Sequence, residues 1–206
     1  MDYKKIDNKR KARLFESEIL ESLTKTHPVV IWTLYMPIII FLLYYSFSKL
    51  NMSVIQIAIN FIEGLISWTL AEYLLHRFVF HYHHNSKIGS RINYIIHGNH
   101  HEYPRDKERL FMPPAPSIII ASCFFGIFYF CFELKSMSFF PGFIFGYLMY
   151  GTMHYAIHAG NPPFKWMKGL WRNHHLHHYA EANKGFGVSS TLWDHLLGTM
   201  YEKRKK

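Results

Sequence analysis

His97, His100 and His101 stand at i, i+3 and i+4 in the segment HGNHHEYPRDKERLFMPP, so a helix there sends three imidazoles from one face. Imidazole binds zinc, iron, copper and nickel, and three convergent rings make half a metal site. The same spacing returns in NHHLHHY as His174, His177 and His178, and two further pairs, His76/His81 and His154/His158, border long apolar runs. These ten neutral donors exceed what one ion can hold, so two ions sharing the set is the natural count. The two cysteines, Cys123 and Cys131, exclude a thiolate zinc site and read as buried thiols inside an apolar run. A carboxylate-bridged di-iron bundle would use Glu-x-x-His pairs, and the chain has none.

The other five histidines are not recruited. His27 precedes the first apolar run and His195 lies near the C-terminus, as interface or structural residues. His83, His84 and His175 sit beside the clusters, either supporting them or simply exposed.

The pairs differ in what they ask of the backbone. His154 and His158, at i and i+4, share a helical face. His76 and His81 are five apart and diverge by roughly 140° on a straight helix, so the helix must end or bend between them. Glu72, one turn before His76, could orient that imidazole, or pair instead with Arg77 or a backbone donor.

The elements that must position these groups are membrane helices. Half of the 206 residues are hydrophobic, with 18 Phe, 14 Tyr and 5 Trp, yet the mean hydropathy is −0.04. That combination describes a chain divided between lipid-facing helices and a polar, histidine-rich remainder. The net charge of +9 is spread over tails and loops among the apolar runs, which favours a membrane surface over nucleic acid as the partner. Residues 1–27 carry seven basic and five acidic residues and no apolar leader; they read as a cytosolic tail, either solvated or forming an amphipathic helix around Leu14–Leu23. The remainder, 28–206, reads as one membrane domain.

Spans are expected at about 28–48, 53–75, 117–134 and 136–156, the first of them long enough at ~1.5 Å per residue to cross a ~30 Å hydrocarbon core. Pro37 sits inside the first, and Pro113, Pro114 and Pro116 bar any helix from running into the third. Asn60, Glu63 and Glu72 in the second should face protein or a cavity rather than lipid. With four spans, 21 of the 23 Lys and Arg fall on one side, leaving only Lys49 and Lys135 on the other. By the positive-inside rule both termini are cytosolic, and all four histidine clusters land on that side too. The expected fold is therefore all-α: a polytopic membrane protein of about four helices with a cytosolic, histidine-rich helical cap. The host membrane is a bacterial inner membrane or the endoplasmic reticulum.

LHRFVFH, HGNHHEYPRDKERLFMPP, HYAIH, and HHLHHY followed by GFGVSSTLWDHLLGT resemble the fatty acid hydroxylase superfamily, and within it the fatty acid (sphingolipid) 2-hydroxylases. The resemblance covers roughly residues 65–202, and the PxDxxRLxxPP tail is more specific than histidine spacing alone. It implies metal ligation by His76, His81, His97, His100, His101, His154, His158, His174, His177 and His178, a dinuclear centre in a cytosolic cap, and insertion of one oxygen atom from dioxygen beside an acyl carbonyl. Iron is then the expected catalytic metal, with zinc an ion that a purified sample could hold. Two departures stand out. Many eukaryotic relatives carry an N-terminal haem-binding domain, so electrons are expected here from a separate donor protein. The group usually has Tyr-Asp before the HYxxH pair, whereas Tyr150 is followed by Gly151.

Tyr150, one turn before His154, is expected as a substrate contact for a membrane lipid whose polar end rises to the metals while its tail stays in the bilayer. Carotenoid or sterol oxidation is the alternative within enzymes, although carotenoid hydroxylases space the third histidine pair more widely. A non-catalytic metal-binding or transport protein is the alternative outside them, although transport ligands belong near the membrane midplane.

Overall fold

Prolines and caps set the ends of the long helices. The computed structural model describes residues 6–82 and 85–202, and among these the regular structure is entirely helical. A short α1 (Glu18–Ser22) precedes α2 (Pro28–Ser48), which opens with proline at its first position and the His27 ring accepting from the Val29 N–H at 3.3 Å. It continues unbroken through Pro37. α3 (Val54–Leu75) starts from a reciprocal capping box, Ser53 Oγ accepting from Gln56 N–H and Gln56 Oε1 from Ser53 N–H. After α4 (Lys87–Asn93) and α5 (Asn99–Glu102), α6 (Pro114–Phe132) again begins on a proline, so the proline cluster opens this helix as well as closing what precedes it. α7 (Ser136–Ala159), α8 (Lys168–Tyr179) and α9 (Leu192–Leu196) complete the chain.

Among the described residues three runs are long and apolar enough to cross a membrane by length and composition: Pro28–Ser48, Val54–Phe80 and Lys107–Ala159. The last, at 53 residues, folds back on itself at Glu133–Lys135. Its two halves, α6 and α7, lie antiparallel, with Phe128 against Phe139, Phe125 against Phe140 and Ser117 near Tyr147.

α7 is the centre of the bundle, and the buried core of Ile31, Tyr35, Ile39, Trp68, Phe143, Ile144 and Leu148 gathers round it. α3 packs parallel to it at close approach. A Cβ on Gly64 would lie 2.0 Å from the Phe139 carbonyl oxygen, and one on Gly142 would lie 1.9 Å from that of Phe61. Only glycine lets two helix backbones meet so closely. The polar residues of α3 face protein as expected: Asn60 donates to Ser138 Oγ at 2.8 Å, and Glu63 pairs with Lys135 at 2.6 Å. Because α3 and α7 run the same way, their C-terminal ends, with His76 and His154, emerge together.

Two expectations need correction. Cys123 and Cys131 are exposed rather than buried, because they occupy the outward face of α6, where an apolar environment is supplied from outside the chain. The N-terminal segment is neither a solvated tail nor a helix from Leu14 to Leu23. Glu21 turns its carboxylate onto the Leu14 and Phe15 N–H groups at 2.9 and 3.2 Å, which holds that stretch non-helical and leaves only Glu18–Ser22 as helix. The segment is strapped to the histidine-bearing end: Asp106 accepts from the Ala12 N–H at 3.0 Å, and the buried Arg109 guanidinium lies between Asp106, at 2.7 Å, and Glu21.

Gly142→Ala is expected to force α3 and α7 apart at a cost of about 1–3 kcal/mol. Gly126→Ala, whose added carbon meets nothing within 4 Å, should leave stability unchanged or slightly raised. Thermal unfolding of both variants in detergent checks the pair, and equal midpoints would contradict the close-packed α3–α7 seam.

Candidate metal centre

The five-residue spacing of His76 and His81 is solved without ending or bending the helix. α3 widens into a π turn over His76–Phe80, closed by the His81 N–H donating to the His76 carbonyl at 3.2 Å. An i→i+5 turn stacks residues five apart, so the two rings come to 5.0 Å between centroids. A second π turn, Tyr94–Gly98, leads into α5 and carries His97. Such turns displace backbone carbonyls from their usual partners, and two buried asparagines answer for them. Asn93 donates to the Phe80 carbonyl at 2.7 Å, and Asn99 to those of Tyr94 and Ile95 at 2.9 and 2.8 Å. Neither asparagine is marked by spacing or type in the sequence.

All ten clustered histidines are buried, and they converge in two groups of five. His76, His81, His97, His101 and His177 form one, and His100, His154, His158, His174 and His178 the other. Within each group the ring nitrogens lie within 4.8 Å of one another. Both HxxHH triplets are therefore split. The i,i+4 pair of each stays together, His97/His101 in the first group and His174/His178 in the second, while His100 and His177 cross to the opposite one. Each group is thus two pairs and one crossing histidine, and the His101 and His178 rings stack at 4.2 Å where the groups meet.

The nitrogen spacing tests whether ions fit. In the first group His97 Nε2 is 3.2 Å from His76 Nε2, 3.2 Å from His81 Nε2 and 3.0 Å from His101 Nε2. In the second, His174 Nε2 is 2.8 Å from His158 Nε2 and 3.1 Å from His178 Nε2, while His100 Nε2 has no hydrogen-bond partner among the described residues. Two facing nitrogens can share one proton, but one nitrogen cannot satisfy three neighbours this way. Ligands at right angles, each about 2.1 Å from an ion, would stand about 3.0 Å apart. The donor set therefore fits one transition-metal ion in each group. Burial first, then the neighbouring imidazoles, holds His97, His100, His101, His174 and His178 well below the ordinary imidazole range, and burial lowers His177 to about 4. Neutral rings keep the lone pair a metal needs.

Backbone carbonyls aim several rings by taking the opposite nitrogen. His76 Nδ1 faces the Phe186 carbonyl at 2.5 Å, His177 Nδ1 that of Lys184 at 2.7 Å and His154 Nδ1 that of Leu110 at 3.3 Å. Those carbonyls are in turn fixed. Asp194 accepts from the Phe186 and Gly187 N–H groups, both at 2.9 Å, and from Thr199 Oγ1 at 2.8 Å. Leu110 follows directly on the Asp106–Arg109 pair. The Glu72 carboxylate turns to the C-terminal loop, and Glu72 meets His76 only through its backbone carbonyl, which accepts from the His76 N–H. Its carboxylate accepts from the Val188 and Ser189 N–H groups at 2.7 and 2.9 Å, the backbone-donor alternative, and so steadies the same loop that presents Phe186.

A cavity of about 670 Å³ runs from His97, His100 and His154 down between α3, α6 and α7, with a mostly apolar lining. Tyr150 borders it, stacked on His154 at 5.8 Å and 6° and packed against Trp68 at 5.8 Å. After this tyrosine, Gly151 leaves room for the Phe111 ring, which a Cβ would meet at 2.2 Å. Of the remaining histidines, His27, His175 and His195 are exposed and outside both groups, and His83 and His84 lie outside the described residues.

Asn93→Leu keeps the volume but donates nothing to the first π turn, and leaving its carbonyls unpaired should cost about 1–3 kcal/mol. Thermal unfolding measures it; an unchanged midpoint would show that the turn does not depend on this side chain.

The family model described as fatty acid hydroxylase matches residues 61–199. The dihydroceramide fatty acyl 2-hydroxylase FAH2 of Arabidopsis thaliana is 36% identical over 189 residues, covering 91% of this chain and 79% of that protein. The ceramide very long chain fatty acid hydroxylase SCS7 of Saccharomyces cerevisiae is 36% identical over 196 residues, covering 93% of this chain and 50% of that one. A solved structure of full-length scs7p, in which only the hydroxylase domain is visible, superposes with a TM-score of 0.87 at 33% identity, covering 94% of this chain and 74% of that one. Buried imidazoles in two sets of five, set at the end of an apolar helical bundle, are thus the site of a chain that belongs to the fatty acid hydroxylase family.

Proposed function

We propose that this protein is a membrane-bound oxygenase that hydroxylates a lipid acyl chain at its 2-position, using two metal ions held by the ten histidines. The observation that carries the reading is the opening of both histidine groups, through His97, His100 and His154, onto one apolar cavity. His76, His81, His97, His101 and His177 hold one ion, and His100, His154, His158, His174 and His178 the other. When bound, the ions supply reductive activation of dioxygen, which no side chain here can provide. Iron suits that redox role, and zinc fits the same imidazole set.

The overall change converts an acyl C–H, dioxygen, two electrons and two protons into a C–OH and water. Electrons come from a separate donor protein. The chain's own groups bind and orient: the apolar cavity takes the acyl tail and excludes water, and Tyr150, stacked on His154, meets the polar end. The carbons nearest the carbonyl then lie nearest the histidines, which favours the 2-position over the middle of the chain. Named 2-hydroxylases among the relatives support the same regiochemistry.

In the membrane we assign four spans, 28–48, 53–75, 117–134 and 136–156, with both termini and the metal end cytosolic. The antiparallel pairing of α6 and α7 and the charge asymmetry support it. The charge rule points to a bacterial inner membrane or the endoplasmic reticulum equally.

Elemental analysis of detergent-purified protein should give close to two transition-metal ions per chain. His100→Ala and His177→Ala should each lower that count through a different ion, so the double variant loses more than either alone, and His27→Ala should keep both ions. A wild-type count near zero would remove the proposal. For the reaction, expression in cells lacking such an activity under labelled dioxygen should yield acyl chains with one labelled oxygen at the 2-position. Unsaturated products alone, or oxygen drawn from water, would overturn the assignment.

A further inference from the structure

The cavity has a direction and a floor. On α7 its wall runs along His154, Tyr150, Tyr147 and Phe143, flanked by Gly151 and Ile144, and the facing wall on α6 runs from Ser117 through Ala121 to Phe124. Both walls end at the same depth, where the Phe124 and Phe143 rings meet at 5.0 Å between centroids. Phe128 closes the seam beneath them, 4.9 Å from Phe143 and 5.9 Å from Phe124, and packs in turn on Phe139 at 5.0 Å. Below Phe124 and Phe143 the space between α6 and α7 is filled with phenylalanine rings.

We infer that Phe124 and Phe143 are the floor of an acyl-chain gauge, and that Ala121 sets the bore one turn above it. The inference rests on the acyl 2-hydroxylation reading and adds the length of chain the site accepts. From His154 to Phe143 is eleven residues of helix, about 16 Å. An extended hydrocarbon advances about 1.3 Å per carbon–carbon bond, so the cavity holds roughly thirteen bonds. With C2 beside the histidines, a chain of about 14 to 16 carbons reaches the floor. Longer chains must displace a ring from a packed aromatic seam or leave the cavity. This separates the chain from its yeast relative, which is named for very long chain substrates.

Two substitutions move the limit in opposite directions. Phe124 is only half-buried, so Phe124→Ala removes the ring without emptying the core, and opens the floor to Phe128, about 6 Å lower along α6. Ala121→Phe brings a ring up by three residues of helix, about 4.5 Å. The 206-residue protein in detergent, loaded with iron(II) and supplied with dioxygen and a reductant, is offered a ladder of saturated ceramides of roughly 12 to 24 acyl carbons. Retention is read by native mass spectrometry, and 2-hydroxy products are read separately. In wild type both readouts should fall about tenfold beyond roughly 16 carbons. The limit should lengthen by about four carbons in Phe124→Ala and shorten by about three in Ala121→Phe. One common limit in all three proteins, or none in wild type, overturns the gauge even where 2-hydroxy product forms. A shifting limit in retention with no 2-hydroxy product upholds the gauge and rejects the reaction.

Discussion

Ten neutral imidazoles packed nitrogen to nitrogen make a costly arrangement. A buried polar atom needs a partner, and a ring nitrogen surrounded by three others about 3 Å away cannot find enough of them in protons. The local geometry of the whole histidine end answers that demand. Helices that could have run straight are widened by π turns, and asparagines are buried to take up the displaced carbonyls. The two triplets are divided so that each group of five receives a histidine from the other's helix. The crossing of His100 and His177 ties α5 and α8 into both groups, so neither group assembles without the other's scaffold.

The supports of the rings explain two stretches that carry none of the ten clustered histidines. The PRDKER stretch joins Asp106 to Arg109, anchors the N-terminal strap through Ala12 and Glu21, and ends at the Leu110 carbonyl beneath His154. The GFGVSSTLWDHLLGT stretch closes a loop on Asp194 and Glu72 and presents the Phe186 carbonyl to His76. Both motifs reach the site through one backbone oxygen. Their worth is in fixing where an imidazole points, which side-chain chemistry read along the sequence does not reveal.

The histidine clusters and the apolar runs were legible because they depend on local rules, helical periodicity and membrane-length hydrophobicity. The all-α membrane fold and the family followed from them. What escaped depends on three-dimensional choices. A five-residue spacing has no solution on a straight helix, and nothing local announces a π turn. The i, i+3, i+4 pattern says that three rings leave one face, but not that one of them serves the other group. Glu72 sits one turn from His76, yet its carboxylate finds three donors in a loop more than a hundred residues away, and three donors outweigh one imidazole. The cysteines were misplaced because an apolar run reads the same whether its neighbours are protein or lipid.

The topology follows from where the histidines must meet. α3 and α7 deliver His76 and His154 to the same end only if they run parallel, and glycines at 64 and 142 bring their backbones together about 18 Å below that end. Parallel neighbours cannot be joined by a short turn, so the chain must return between them, and α6 is that return. The polar stretch before α6 has to lie at the histidine end, which is where the second π turn with His97 and α5 with His100 and His101 are found. The returning helix also supplies the far wall of the cavity. One requirement, two parallel helices ending side by side, therefore puts the His97, His100 and His101 cluster over the site and an apolar channel beneath it.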